Sequence, residues 1–173
     1  MKRSTQKIMY YLLMFFIFSL LGGILEILYS LIVREKLVIG GFMYGILRPI
    51  YGFGSLLLYE VPKRARKNII TAFLVSLLIG SIYEYISSYL LEVMFNKNWW
   101  NYKDFFLNIN GRICLFSSFC WGFLGVIFYY FLEPLTKRLY EKLNKRKLQQ
   151  TLQLVSIYYI IDTIISIIRY LPK

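Results

Sequence analysis

Apolar residues come in long blocks along this chain, with short polar and basic links between them. Five blocks stand out, at residues 8–33, 41–59, 69–95, 113–132 and 151–170. Each reaches about 20 residues, the length of helix that crosses the hydrocarbon of a bilayer. Lipid offers no partner to a backbone amide, so a spanning block folds as a helix, which satisfies its own backbone. The blocks predict an all-α, polytopic membrane protein with about five transmembrane helices.

Inside the blocks the polar residues form stripes. In the third, Ser76, Gly80, Glu84, Ser88 and Glu92 step by four. Steps of three and four share one face of a helix. In the first, Ser19, Gly22, Gly23, Glu26 and Ser30 fall on about one face. A carboxylate in the hydrocarbon costs roughly 2.5–3.5 kcal/mol on insertion scales. Such a stripe should face another helix or a cavity and not lipid. Two readings fit: a packing seam with glycines for close approach, or a site that uses the carboxylates.

The stripes also repeat. Gly22-x-x-x-Glu26-x-x-x-Ser30 recurs as Gly80-x-x-x-Glu84-x-x-x-Ser88. Gly41 and Gly52 are spaced as Gly111 and Gly122 are. The run Tyr51-Gly-Phe-Gly-Ser-Leu-Leu-Leu-Tyr59 matches Trp121-Gly-Phe-Leu-Gly-Val-Ile-Phe-Tyr129. One integral-membrane domain is expected, with repeat one at about 8–60 and repeat two at about 69–133. A basic amphipathic segment, 134–150, and a last helix, 151–170, follow. Each repeat crosses twice, so the copies are expected to be parallel, about an axis near the membrane normal. Glu26 and Glu84 then lie at similar depth, with Arg48 and Arg112 toward the same side and Glu92 at the outer mouth. Two acids and two bases near that axis would largely neutralise one another, and removing one would strand a buried charge.

The second block is irregular, with five glycines, Arg48 and Pro49 between residues 40 and 54. Proline removes a donor and clashes with the preceding turn. Either Pro49 starts a new half-helix whose free amides meet an anion, or the block is an ordinary kinked helix. Between the third and fourth blocks, residues 96–110 include Trp99, Trp100, Tyr102, Phe105 and Phe106. An interfacial aromatic belt explains this loop by default. A lid over an outward pocket, using Trp99, Trp100, Tyr102 and Asn110, is the sharper reading. The stretch 133–150 places Leu135, Leu139, Leu143 and Leu148 on its apolar side, which suits the membrane surface or a docked partner. Asp162 has no counterpart in the repeat. It pairs with a core arginine or marks an oligomer contact.

Composition and charge sharpen this picture. The 173 residues are 58% hydrophobic, lack histidine and carry a net charge of +12. Nucleic acid is rejected as a partner because of where the charge lies. Lys2, Arg3, Lys7, Lys63, Arg64, Arg66, Lys67, Lys137, Arg138, Lys142, Lys145, Arg146 and Lys147 share one side if the blocks cross alternately. Arg34, Lys36, Lys97, Lys103, Arg112, Arg169 and Lys173 share the other. The positive-inside rule puts the N-terminus in the cytoplasm and the C-terminus outside. Residues 8–25 are too long, and lack a small-residue cleavage site, for a signal peptide. Cys114 and Cys120 lie six apart, do not face each other on a helix, and read as packing residues. No cofactor and no metal site are expected.

Several of these residues resemble one family of bacterial membrane proteins, the CmpB-type ABC-transporter permeases. The motifs are Gly22-x-x-x-Glu26, Arg48-Pro-Ile-Tyr-Gly52, Glu84 with Glu92, Trp99-Trp-Asn-Tyr102, Asn110-Gly-Arg-Ile-Cys114 and Trp121-Gly122. They cover roughly residues 10–130. Family members often have an acid after the paired tryptophans, where this chain has Asn101. If that acid serves the family's activity, this chain is altered there. The resemblance implies a bacterial plasma-membrane location and a role in transport.

The chain has no Gly-x-x-x-x-Gly-Lys-Ser/Thr loop to bind ATP. A permease would need a separate ATPase subunit, with 133–150 a better docking site than 61–68, and at least a dimer is expected. The leading expectation is thus a permease or transport-related subunit. Its binding residues would be Glu26, Arg48, Glu84, Glu92 and Arg112, for a lipid-like, zwitterionic or anionic solute. Two alternatives stay open. One is a membrane enzyme acting on a lipid or cell-envelope intermediate, with Glu84 as base and Arg112 holding phosphate. The other is a non-transporting assembly partner.

Overall fold

A computed structural model describes residues 3–34 and 41–171 of the chain. Among the described residues six α-helices form: α1 (Arg3–Arg34), α2 (Pro49–Tyr59), α3 (Ile69–Phe95), α4 (Leu115–Ile127), α5 (Glu133–Lys142) and α6 (Lys145–Tyr170). A short 3₁₀ turn, Lys63–Arg66, precedes α3, and a π-helical turn, Phe128–Leu132, joins α4 to α5. Among the described residues, four helical stretches are long and apolar enough to cross a membrane: Arg3–Ile32, Ile69–Phe95, Leu115–Lys142 and Lys145–Tyr170. The protein is an all-helical membrane protein.

Local chemistry sets the helix ends. Asn68 caps α3 by accepting from the Thr71 amide at 2.9 Å, and Thr71 returns the bond. Such a reciprocal box satisfies two amides that the helix leaves open. Asn96 ends α3 in the left-handed region, with φ 49°, a conformation that asparagine tolerates. Cys114 and Ser117 form the same kind of box before α4. Asn144 breaks α5 from α6 and accepts from the amides of Arg146 and Lys147.

The second apolar block behaves differently from its neighbours. Helix begins only at Pro49 and runs for 11 residues. The chain before it, 41–48, is irregular. Pro49 is therefore the first residue of a half-length helix and not a kink within a longer one. The basic stretch 133–150 is likewise divided. Leu135 and Leu139 on α5 are exposed, whereas Leu148 on α6 is buried. They form no single apolar face, because the break at Asn144 resets the helix phase.

The described chain falls into two compact units: residues up to Leu56 with Arg138–Leu171, and Leu57–Lys137. In the first, α1 and α6 pack side by side and run the same way. Leu148 and Leu152 join Met9 and Leu13 in the core, and further along Tyr159 meets Phe15 and Phe16 edge-on. Residues 41–56 run the opposite way. Phe42 stacks on Tyr170, near the end of α6, and Phe53 packs edge-on against Phe15. The irregular stretch and α2 together therefore cover much of the length of α1.

In the second unit α3 and α4 are antiparallel partners. Ser81 bonds Ser118 at 2.7 Å between them. At one end, Tyr129 donates to the Leu58 carbonyl at 3.0 Å, and Arg66 pairs with Glu133. At the other, the loop after α3 folds back, with Tyr102 donating its amide to Gly111 and Ile109 paired with Ile113.

Candidate functional site

Glycines set how closely each helix pair approaches. In the first unit a Cβ on Gly22 would come 2.1 Å from the Tyr51 ring, and one on Gly52 would meet Ser19 and Phe15. In the second, a Cβ on Gly80 would come 2.3 Å from Trp121, and one on Gly122 would meet Phe73. An aromatic side chain packs against the bare helix backbone at each of these contacts, with the Ser19 hydroxyl also against Gly52. Tyr51 and Trp121 occupy matching places in the sequence repeat, as do Gly22 and Gly80.

Each ring lies beside a carboxylate one helical turn beyond the glycine. In the first unit Glu26 accepts from Nε of Arg48 at 2.7 Å, and Tyr51 is within hydrogen-bonding reach of it. Arg48 is buried and also donates from Nη1 to the Gly45 carbonyl at 2.8 Å. The irregular stretch is thus wrapped around its own arginine. Asp162 of α6 holds that stretch in place. Its carboxylate accepts from the amides of Tyr44, at 3.0 Å, and Gly45, at 2.9 Å, and Ser166 donates to it. A carboxylate bonded by two amides and a hydroxyl is well satisfied although buried. The anion that meets free backbone amides is therefore the chain's own Asp162, several residues before Pro49.

In the second unit Glu84 is 6% exposed. The Tyr102 hydroxyl donates to its Oε1 at 3.0 Å, and Trp121 Nε1 donates to its Oε2 at 3.1 Å. Ser117 lies within reach as well. Among the described residues Glu84 makes no ion pair. Arg112 instead pairs with Glu92, and its guanidinium lies 5.5 Å from the centres of both the Tyr85 and Tyr89 rings.

Of the five residues expected to bind, the structure joins Glu26 with Arg48, and Glu92 with Arg112. Glu84 takes neutral donors. The four aromatic-loop residues also separate. Tyr102 reaches Glu84, Trp100 donates from its indole to the Arg112 carbonyl, and the Asn110 amide donates to the Tyr85 hydroxyl. Trp99 packs edge-on against Phe95, with Lys97 over its ring. The loop is pinned by these bonds and borders a half-open cavity of about 540 Å³, lined in part by Trp100, Asn110, Glu92 and Arg112.

Sequence reasoning missed Trp121 and Asp162 as parts of these sites. Trp121 had a signal, since it stands where Tyr51 stands in the other repeat. Asp162 was visible as an acid in an apolar helix, but its partners are backbone amides and leave no mark in the sequence.

A family model described as "Putative ABC-transporter type IV" matches residues 13–167. The match spans most of the chain and includes every residue of these sites, so the chain belongs to that family. No curated protein and no solved structure matches it.

Proposed function

We propose that this chain is a permease or transport-related subunit of a bacterial plasma membrane, working with a separate ATPase subunit. Its cargo is a polar or lipid-like solute with anionic or zwitterionic character. One observation carries the reading. Glu84 is a buried carboxylate held by two neutral donors, with no base among the described residues to answer its charge. Glu26 is answered by Arg48, and Asp162 by two backbone amides and a hydroxyl, whereas Glu84 has among the described residues neither backbone donors nor a cation. An acid kept without one is available to a cation or proton during a cycle. Family membership supports the ATPase partner, and the parallel run of α1 and α6 supports termini on opposite faces, with the N-terminus cytoplasmic.

The test is native mass spectrometry of the complex, gently extracted from its own membranes, followed by ATP turnover in vesicles. A stoichiometric ATPase subunit, with turnover lost in Glu84→Gln while the complex still assembles, is the expected result. Absence of any ATPase, or full turnover in Glu84→Gln, overturns the reading. A second reading, in which the charges serve assembly, draws on the Glu26–Arg48 pair. It requires that exchanging the two, as Glu26→Arg with Arg48→Glu, preserve assembly and activity.

A further inference from the structure

The cavity under the α3–α4 loop has a wall of unusual charge. Arg112 and Lys103 are its two cations, and Glu92 is its one carboxylate. Glu92 is already answered by Nη2 of Arg112. That leaves Nε of Arg112, which is buried and has no hydrogen-bond partner among the described residues. It also leaves the Lys103 ammonium, which makes no ion pair among them. Asn98 adds a further neutral side chain, and Trp100 supplies a ring. A buried N–H on a charged group is costly without an acceptor. The wall therefore carries two cations against one carboxylate, a surplus of positive charge.

We infer that this cavity binds a phosphate-bearing polar group, with Arg112 and Lys103 holding its oxygens. Guanidinium and ammonium groups are the side chains that recognise phosphate, the first by directed bonds and the second as a point charge. At about 540 Å³ the cavity is larger than a bare phosphate needs, which leaves room for a small polar alcohol esterified to it. Trp100 and Asn98 would flank that uncharged part. The same chemistry comes from two sources, a phospholipid headgroup or a free phosphate ester. The inference deepens the transport reading and rests on it for its biological meaning, but binding is measurable apart from movement.

The experiment uses the full chain in two arms. In the first, sn-glycerol 3-phosphate and glycerol are titrated against detergent-solubilised protein, followed by tryptophan fluorescence and thermal shift. In the second, native mass spectrometry reads lipid retained from nanodiscs of phosphatidylglycerol mixed with a neutral glycolipid. Saturable binding of the ester, but not of glycerol, assigns the free ester. Retention of phosphatidylglycerol alone assigns the lipid headgroup. In either case Arg112→Gln and Lys103→Gln should each weaken binding by about tenfold or more. Lys103 is exposed and in no ion pair, so its variant keeps the test valid if Arg112→Gln does not fold. No binding in either arm, or binding unchanged in Lys103→Gln and in every folded Arg112 variant, overturns the inference. Binding without Glu84-dependent turnover sinks the transport reading and keeps this one; turnover without phosphate binding does the reverse.

Discussion

The Glu26 and Glu84 regions use the same frame for different purposes. Both place a glycine under an aromatic ring and a glutamate one turn further on. In the first region Arg48 closes the arrangement with a 2.7 Å bond. In the second, position 118 holds Ser118 where the repeat has Arg48, and the carboxylate takes hydroxyl and indole donors. One copy is a locked ion pair fixed by an irregular loop. The other is an acid with neutral partners under a hydrogen-bonded loop. On the proposed reading, one copy of the frame holds the structure while the other keeps a charge available.

Breaking the locked pair should have the largest effect. Arg48→Gln leaves Glu26 without its base; breaking a fully buried pair costs about 3–5 kcal/mol, and with the Glu26 side chain 40% exposed the loss should fall at or below the lower end of that range. Thermal unfolding in detergent should show this loss, and adding Glu26→Gln should recover much of it. If Arg48→Gln is tolerated alone, the two regions do not differ as described. Next come the glycines. Gly22→Val and Gly80→Val both drive a side chain into a ring, and overpacking costs about 1–3 kcal/mol or more. The two should fall by similar amounts in the same assay, because the frames match even though the charges do not.

Asp162→Asn is expected to cost about 1–3 kcal/mol, since an amide nitrogen then faces one of the two backbone donors. Its footprint should be confined to residues 41–48 in hydrogen exchange, and protection loss spread evenly along α6 would contradict the role assigned to it. The smallest stability change belongs to Glu84→Gln. Glutamine can accept from Trp121 through its oxygen and donate its NH2 to the Tyr102 hydroxyl, which accepts as well as donates, so unfolding should shift by less than about 1.5 kcal/mol. Its effect should appear in ATP turnover instead. A large destabilisation would place Glu84 with Glu26 as a structural acid and erase the contrast.

Much of this was readable before any coordinates. Apolar blocks of spanning length marked the four long helices, Pro49 marked a break or a kink in the second block without deciding between them, and steps of four marked the buried face of α3. These are local properties, set by backbone hydrogen bonding, by the missing amide of proline and by 3.6 residues per turn. The repeat even pointed at Tyr51 and Trp121 as equivalents. Charge counting brought forward Glu26, Arg48, Glu84, Glu92 and Arg112 but could not pair them. Nothing along the chain says that Arg112 turns to Glu92, eight residues past Glu84 on α3, or that Tyr102 reaches back to Glu84.

Sequence by itself therefore determined that this is a helical membrane protein of its family, which charged residues lie within its apolar blocks, and that its second block is irregular around Pro49. Tertiary structure alone decided which acid has a base, that Asp162 serves the amides of Tyr44 and Gly45, and that Arg112 lines a cavity together with Lys103. The physical reason is range. Helix formation and lipid burial act on neighbours in the chain, whereas an ion pair or a carboxylate–amide bond is settled by which atoms come within about 3 Å after packing.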